Sequence, residues 1–159
     1  IVEYKTAGLI AAACRMGALL ADASEAQQDA LFRFGRHLGI AFQVADDTLD
    51  YTANGEHLGK SLGQDLRQGK ATLPLLHLLH HCSEQDKQMI VDRMERRSLT
   101  EEDLGRFIHL MEEMGSITYA MDRARSYVAA AQQDLNQFED STAKRALSVT
   151  ADYMVTRDR

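Results

Sequence analysis

Only one of the 159 residues is proline, Pro74, against a usual share of about 5%, so almost nothing in the chain removes a backbone donor or forbids helix. What remains to set the structure is where apolar side chains recur and where caps fall. Apolar residues return every three to four positions through nearly all of the sequence. No run alternates convincingly with period two, and no strand-helix-strand spacing occurs, which predicts an all-α helical bundle. Small polar residues followed three positions later by a polar acceptor mark helix starts at Ser24 with Gln27, Ser83 with Asp86 and Thr100 with Asp103. Helices are expected over 3–21, 24–52, 72–81, 84–97, 101–114, 116–137 and 141–157. The methionines at 89, 94, 111, 114 and 121 are expected to fill gaps in the core.

Acids outnumber bases by 24 to 18, for a net charge of −6. The excess is spread along the chain, which argues against a nucleic-acid groove or an anionic membrane surface as partner. The most apolar stretch, 7–21, carries Arg15 and falls short of the roughly 18 apolar residues a membrane span needs. It is expected to be a buried helix. Cys14 and Cys82 lie far apart without a C-x-x-C spacing, so neither a disulfide framework nor a thiolate metal knuckle is expected, and a reducing, cytoplasmic compartment is. The opening Ile1-Val2-Glu3-Tyr4 has no initiator methionine, basic segment or cleavage pattern, which reads as an internal start.

One segment breaks the helical pattern. Residues 53–71 contain Gly55, Gly59, Gly63 and Gly69 together with Lys60, Arg67 and Lys70, and read as a long Gly-rich basic loop. Loops of this length inside a compact domain are usually binding loops, lids or linkers. Directly before it stands D-D-T-L-D, where Asp46, Asp47 and Asp50 join Gln43 on an arc of about 100° of an otherwise apolar helix. An isolated D-D-x-x-D is more often a solvated acidic face. Here the apolar setting and the basic loop reverse that, because three unpaired buried carboxylates would each cost several kcal/mol unless a cation compensates them. Oxygen ligands without His or Cys suit Mg²⁺, which binds through one or two carboxylates plus substrate phosphates. Gly39 and Gly35, one and two turns before Gln43, are expected to leave room beside the stripe. Lys60 and Lys70 offer ammonium charges to phosphate oxygens. The carboxylates and the loop together describe a metal-diphosphate site.

Lys5 and Thr6 open the first helix and carry little weight alone. His77, His80 and His81, with Cys82 adjacent, have spacings that could hold zinc. No H-E-x-x-H pattern accompanies them, and exposed histidines at the end of a Leu-rich helix are expected instead.

Three strings, K-T-A-G-L at 5–9, G-I-A-F-Q-V-A-D-D-T-L-D-Y at 39–51 and G-K-S-L-G-Q-D-L-R-Q-G-K-A-T-L-P at 59–74, resemble in order and separation the C-terminal half of the trans-isoprenyl (polyprenyl) diphosphate synthases. The resemblance covers essentially the whole chain and continues more loosely through H-L-L-H-H, M-G-S-I at 114–117 and V-T-R-D-R. It implies that residues 1–159 are the C-terminal portion of one all-α isoprenoid-synthase-type bundle, usually a homodimer. In such enzymes a Mg²⁺-bound allylic prenyl diphosphate ionises and isopentenyl diphosphate attacks the carbocation, here toward a long-chain product. It further implies that Asp46, Asp47 and Asp50 are metal ligands on the allylic diphosphate. Lys5, Lys60 and Lys70 would contact the departing diphosphate, and Thr6 and Gln43 would line the same site.

Two departures stand out. Gln64 occupies a position where close relatives often carry an acid before Asp65. The sequence also holds one D-D-x-x-D where the family pattern has two, and lacks the upstream basic residues for isopentenyl diphosphate, so a C-terminal fragment inactive by itself is expected. A catalytically incomplete regulatory subunit of a prenyl synthase is the alternative reading, but such a chain would not need to keep Asp46, Asp47, Asp50, Lys60 and Lys70 together. A terpenoid cyclase is a third, against which the repeated G-K loop argues.

Overall fold

A computed structural model describes residues 6–52 and 62–156. Among them there is no strand, and eight α-helices follow one another. They are α1 Gly8–Leu20, α2 Glu25–Leu49, α3 Gln64–Arg67, α4 Leu73–His81, α5 Glu84–Glu95, α6 Glu101–Glu113, α7 Ser116–Asp134 and α8 Thr142–Thr156. A 3₁₀ turn, Leu135–Gln137, follows α7. No helix is long and apolar enough to cross a membrane, among the described residues.

The three expected caps form. The Ser24 hydroxyl accepts from the Gln27 N–H at 3.4 Å, and the Gln27 side chain accepts from the Ser24 N–H at 3.0 Å. Ser83 Oγ accepts from the Asp86 N–H at 3.1 Å. Thr100 and Asp103 make a full capping box, the reciprocal arrangement that satisfies two orphan donors at once. Pro74 stands in the first turn of α4, where its missing N–H would have had no intrahelical partner. The chain's one proline therefore costs the helix nothing.

Two compact units are present. The first comprises residues 1–45 and 122–158. Its core gathers Phe34, Leu38 and Ala41 of α2 with Val128 and Ala131 of α7, Leu135, and Ala151 of α8. Asp134 anchors α2 to α7 by accepting from Arg33 Nε at 3.0 Å and pairing with His37 Nδ1 at 2.8 Å. Helix α1 lies against α2 at very short range. A Cβ on Gly39 would sit 2.5 Å from the Ala7 Cα, and one on Gly35 would sit 2.8 Å from the Ala11 Cα. The space expected beside the carboxylate stripe at these two glycines is thus filled by a neighbouring helix, and the glycines serve backbone approach. The outer side of α1 is not buried as the sequence led one to expect: Leu9 is 74% exposed and Leu20 82%.

The second unit, residues 46–121, carries its own core. Tyr51, Leu66, Leu75, Leu78, Ile90, Leu104, Phe107, Ile108 and Met111 are buried together, with Met89 and Met94 packed against them. Met111, Met89 and Met94 fill the core as expected, whereas Met114 is 40% exposed. Residues 62–71 of the expected Gly-rich loop are not all irregular, since Gln64–Arg67 form the short helix α3. Gly63 starts it at φ +68°, and a Cβ there would meet Leu104 Cδ1 at 2.3 Å. Leu104 is buried and has nowhere to retreat.

Gly63→Ala is therefore expected to suffer twice, by about 1–2 kcal/mol for a left-handed non-glycine residue and about 1–3 kcal/mol for overpacking. A Tm lowered by roughly 4 °C or more in a thermal melt is the expected result. An unchanged Tm would mean that Gly63 is not held in this conformation.

Candidate active site

Exposure along α2 follows the expected stripe in part, since Phe42 and Leu49, expected outside it, are also partly open to solvent. Val44, Ala45 and Thr48 are buried, while Gln43, Asp46, Asp47 and Asp50 are partly open to solvent. The helix ends at Leu49, so Asp50 stands on the turn that follows. That turn is fastened to the segment carrying α3. The Gly63 N–H donates to the Asp50 carbonyl at 2.9 Å, and the Asp65 N–H donates to Asp50 Oδ2 at 2.8 Å. A hydrogen bond to an ionised acceptor is shorter and stronger than a neutral one. Asp50 thereby fixes where the chain returns.

Lys70 follows from the same fastening. Its Nζ donates to Asp65 Oδ1 at 2.6 Å, and its own N–H donates to the Asp65 carbonyl at 2.9 Å. The ammonium is held above its ordinary pKa, first by this hydrogen bond and then by the charges of Asp65, Asp47 and Asp50. Its side chain is about half exposed (51%). The sequence reading offered Lys70 as a point charge for phosphate; in the structure it already holds a carboxylate partner. Beneath the pair, the Tyr51 hydroxyl and Thr72 Oγ1 lie 2.5 Å apart in the buried core. Burial pushes the Tyr51 phenol well above its usual pKa, the Thr72 hydrogen bond opposes this, and Asp65, Asp50 and Asp47 add to the rise. Tyr51 is thus a neutral hydroxyl at the edge of a negatively charged cluster.

In the first unit, the Thr6 hydroxyl donates to Gln43 Oε1 at 2.9 Å. These two polar side chains, which the resemblance implied would line one site, are hydrogen-bonded partners. Lys5 and Lys60 lie outside the described residues.

Asp65, Tyr51 and Thr72 adjoin these residues and were not among the candidate site residues expected from sequence. The signal was available for Asp65, which stands five positions before Lys70 within one motif. For Tyr51 and Thr72 no local pattern announces a contact across twenty-one residues.

No three His, Cys, Asp or Glu side chains among the described residues converge closely enough to enclose a metal ion by themselves. Mg²⁺ is commonly bound through one or two carboxylates and completed by water and phosphate oxygens. The donor chemistry of Asp46, Asp47 and Asp50 is all oxygen and partly solvent-accessible, which fits such an ion.

Comparison with known proteins identifies the family. Residues 1–111 match the family model described as Polyprenyl synthetase, and the chain belongs to that family. The octaprenyl diphosphate synthase of Haemophilus influenzae is 39% identical over 158 residues, covering 99% of this chain and 48% of that protein. Among solved structures, a polyprenyl synthase from Caulobacter crescentus, complexed with calcium and isoprenyl diphosphate, superposes with a TM-score of 0.91 at 38% identity. That match covers 98% of this chain and 48% of the other. A decaprenyl diphosphate synthase from Rhodobacter capsulatus gives a TM-score of 0.91 at 32% identity over 99% of this chain and 49% of its own. The chain spans about half the length of the relatives it matches.

Proposed function

We propose that this chain supplies the allylic-diphosphate side of a Mg²⁺-dependent trans-polyprenyl diphosphate synthase. The enzyme would condense an allylic prenyl diphosphate with isopentenyl diphosphate into a long-chain, octaprenyl-like product of the kind used as a quinone side chain. The observation that carries this reading is the linkage of the D-D-x-x-D turn to Lys70 through Asp50 and Asp65. One carboxylate of the D-D-x-x-D, Asp50, and the Lys70 ammonium belong to one hydrogen-bonded network through Asp65, which supports this reading. In this reading Asp46, Asp47 and Asp50 hold Mg²⁺, which when bound neutralises charge growing on the departing diphosphate. Lys5, Lys60 and Lys70 meet the diphosphate oxygens, and Thr6 and Gln43 orient the same group. Fixed charges aimed where negative charge develops stabilise the transition state more than the ground state. For Lys70 to take part, its ammonium must share or exchange Asp65 for a phosphate oxygen.

Homodimer assembly and a cytoplasmic location belong to the same proposal. The exposed apolar side of α1 supports a covered face in the assembled enzyme, and the free Cys14 and Cys82 support a reducing compartment.

The test is thermal stabilisation of the protein, at the full length of its relatives, by Mg²⁺ and a diphosphate or bisphosphonate. Carboxylates and ammonium groups each repel their own kind until a metal-diphosphate complex satisfies both. Ligand at about 100 times its Kd should add about 2.7 kcal/mol of stability, with metal or ligand alone adding less. Equal melting shifts with and without Mg²⁺ would overturn the shared site.

A further inference from the structure

Helix α3 ends in two interlocking backbone bonds. The Gly69 N–H donates to the Leu66 carbonyl at 3.0 Å, and the Lys70 N–H donates to the Asp65 carbonyl at 2.9 Å. Gly69 lies at φ +70°, where a Cβ would meet nothing. This is a Schellman end, in which a left-handed residue folds the chain back and sets the next residue beside the one five positions earlier. Such ends ordinarily bring two apolar side chains together. Here the two side chains are Asp65 and Lys70, joined from Nζ to Oδ1 at 2.6 Å. The Asp65 side chain is 14% exposed, whereas that of Lys70 stands half in solvent. An ion pair with one member so exposed adds little to stability, which leaves its placement to be explained by something other than folding.

We propose that Asp65 is a positioning residue for Lys70, its carboxylate fixing the ammonium near the Asp-rich turn with donors still available to a diphosphate oxygen.

The inference rests on the reading of Lys70 as a diphosphate contact. An ammonium has three N–H donors, and Asp65 Oδ1 takes one of them, so Lys70 can meet a phosphate oxygen without leaving Asp65. Unfastened, its four-carbon stem would rotate freely, and ordering such a side chain on binding weakens affinity by up to about thirtyfold. Asp47 and Asp50 also act on this ammonium through their charge. A loose Lys70 would therefore be drawn toward the carboxylates assigned to the cation. Asp65 is itself held through its backbone, whose N–H donates to Asp50 Oδ2 at 2.8 Å. A substitution at position 65 leaves that donor in place, so the side chain can be altered while the path of the chain is kept.

Calorimetric titration with inorganic pyrophosphate, with and without Mg²⁺, on the protein at the full length of its relatives reads this from the Mg²⁺-dependent binding. Asp65→Ala is expected to weaken that binding about five- to thirtyfold. Asp65→Asn keeps an oxygen able to accept from Nζ and should weaken it less. In a Lys70→Ala background, adding Asp65→Ala should change affinity less than about twofold, because the carboxylate then has no ammonium to place. If Asp65→Ala fails to fold, Asp65→Asn with and without Lys70→Ala decides the matter. Tighter binding in Asp65→Ala would make Asp65 a competitor for the ammonium and overturn the proposal, as would an equal loss with and without Lys70. Unchanged affinity in Lys70→Ala would strike the diphosphate role of Lys70, and that of Asp65 with it. A weakened Lys70→Ala beside an undiminished Asp65→Ala would strike Asp65 alone.

Discussion

Supplied with Mg²⁺, an allylic prenyl diphosphate and radiolabelled isopentenyl diphosphate, the 159-residue chain is expected to yield no chain-length product. Its sequence contains one D-D-x-x-D, and it spans about half of each relative it matches. A diphosphate held by this cluster alone is neither fully neutralised nor fixed beside a second reactant. Holding two reactants in register can be worth about 7–11 kcal/mol of the barrier, so product is expected at or below the limit of detection. Addition of the half of a relative that this chain does not span should restore product if the two halves associate. Chain-length product from the 159 residues alone would refute the one-sided clamp.

The second large effect is expected at Asp46 in the protein at its relatives' full length. Asp46→Ala should lower kcat by about 10²–10³, or roughly 2.7–4 kcal/mol, with little change in the melting curve. Lys60→Ala should behave alike, since both residues are assigned to charge that grows only as the diphosphate departs. Steady-state kinetics on variants shown to be folded by circular dichroism would measure it. Near-normal turnover in a folded Asp46→Ala protein would favour a regulatory subunit over a catalytic one.

Much of the helical order was legible because it depends on near neighbours. Ser24, Ser83 and Thr100 each cap with a residue three positions on, and a three-residue interval is visible in any sequence. That Gln43, Asp46 and Asp47 share a face was legible for the same reason, whereas Asp50 falls beyond the end of α2 at Leu49. The family pattern in the sequence pointed to the polyprenyl synthases, and the relatives found by comparison are the same proteins. Long-range packing was not legible. Gly35 and Gly39 look alike whether they open a space or admit another helix, and only the approach of Ala7 and Ala11 distinguishes the two. The α3 helix was hidden because its four residues lie among glycines, and its start depends on the backbone of Asp50 and on Leu104. The Tyr51 contact with Thr72 was hidden because a hydrogen bond across twenty-one residues leaves no periodic trace.

The two ends of the Asp50 carboxylate answer to different demands. One oxygen holds the backbone of residue 65, and so sets the path of the chain that carries Lys70. Under the proposed metal role, position 50 would meet two separate demands, one for an acceptor and one for a negative charge. Asparagine would keep an acceptor while surrendering the charge, whereas alanine surrenders both. Chain path and chemistry can thus be pulled apart at a single residue, and a sequence that drifted from aspartate to asparagine there would retain its architecture after it had lost part of its chemistry.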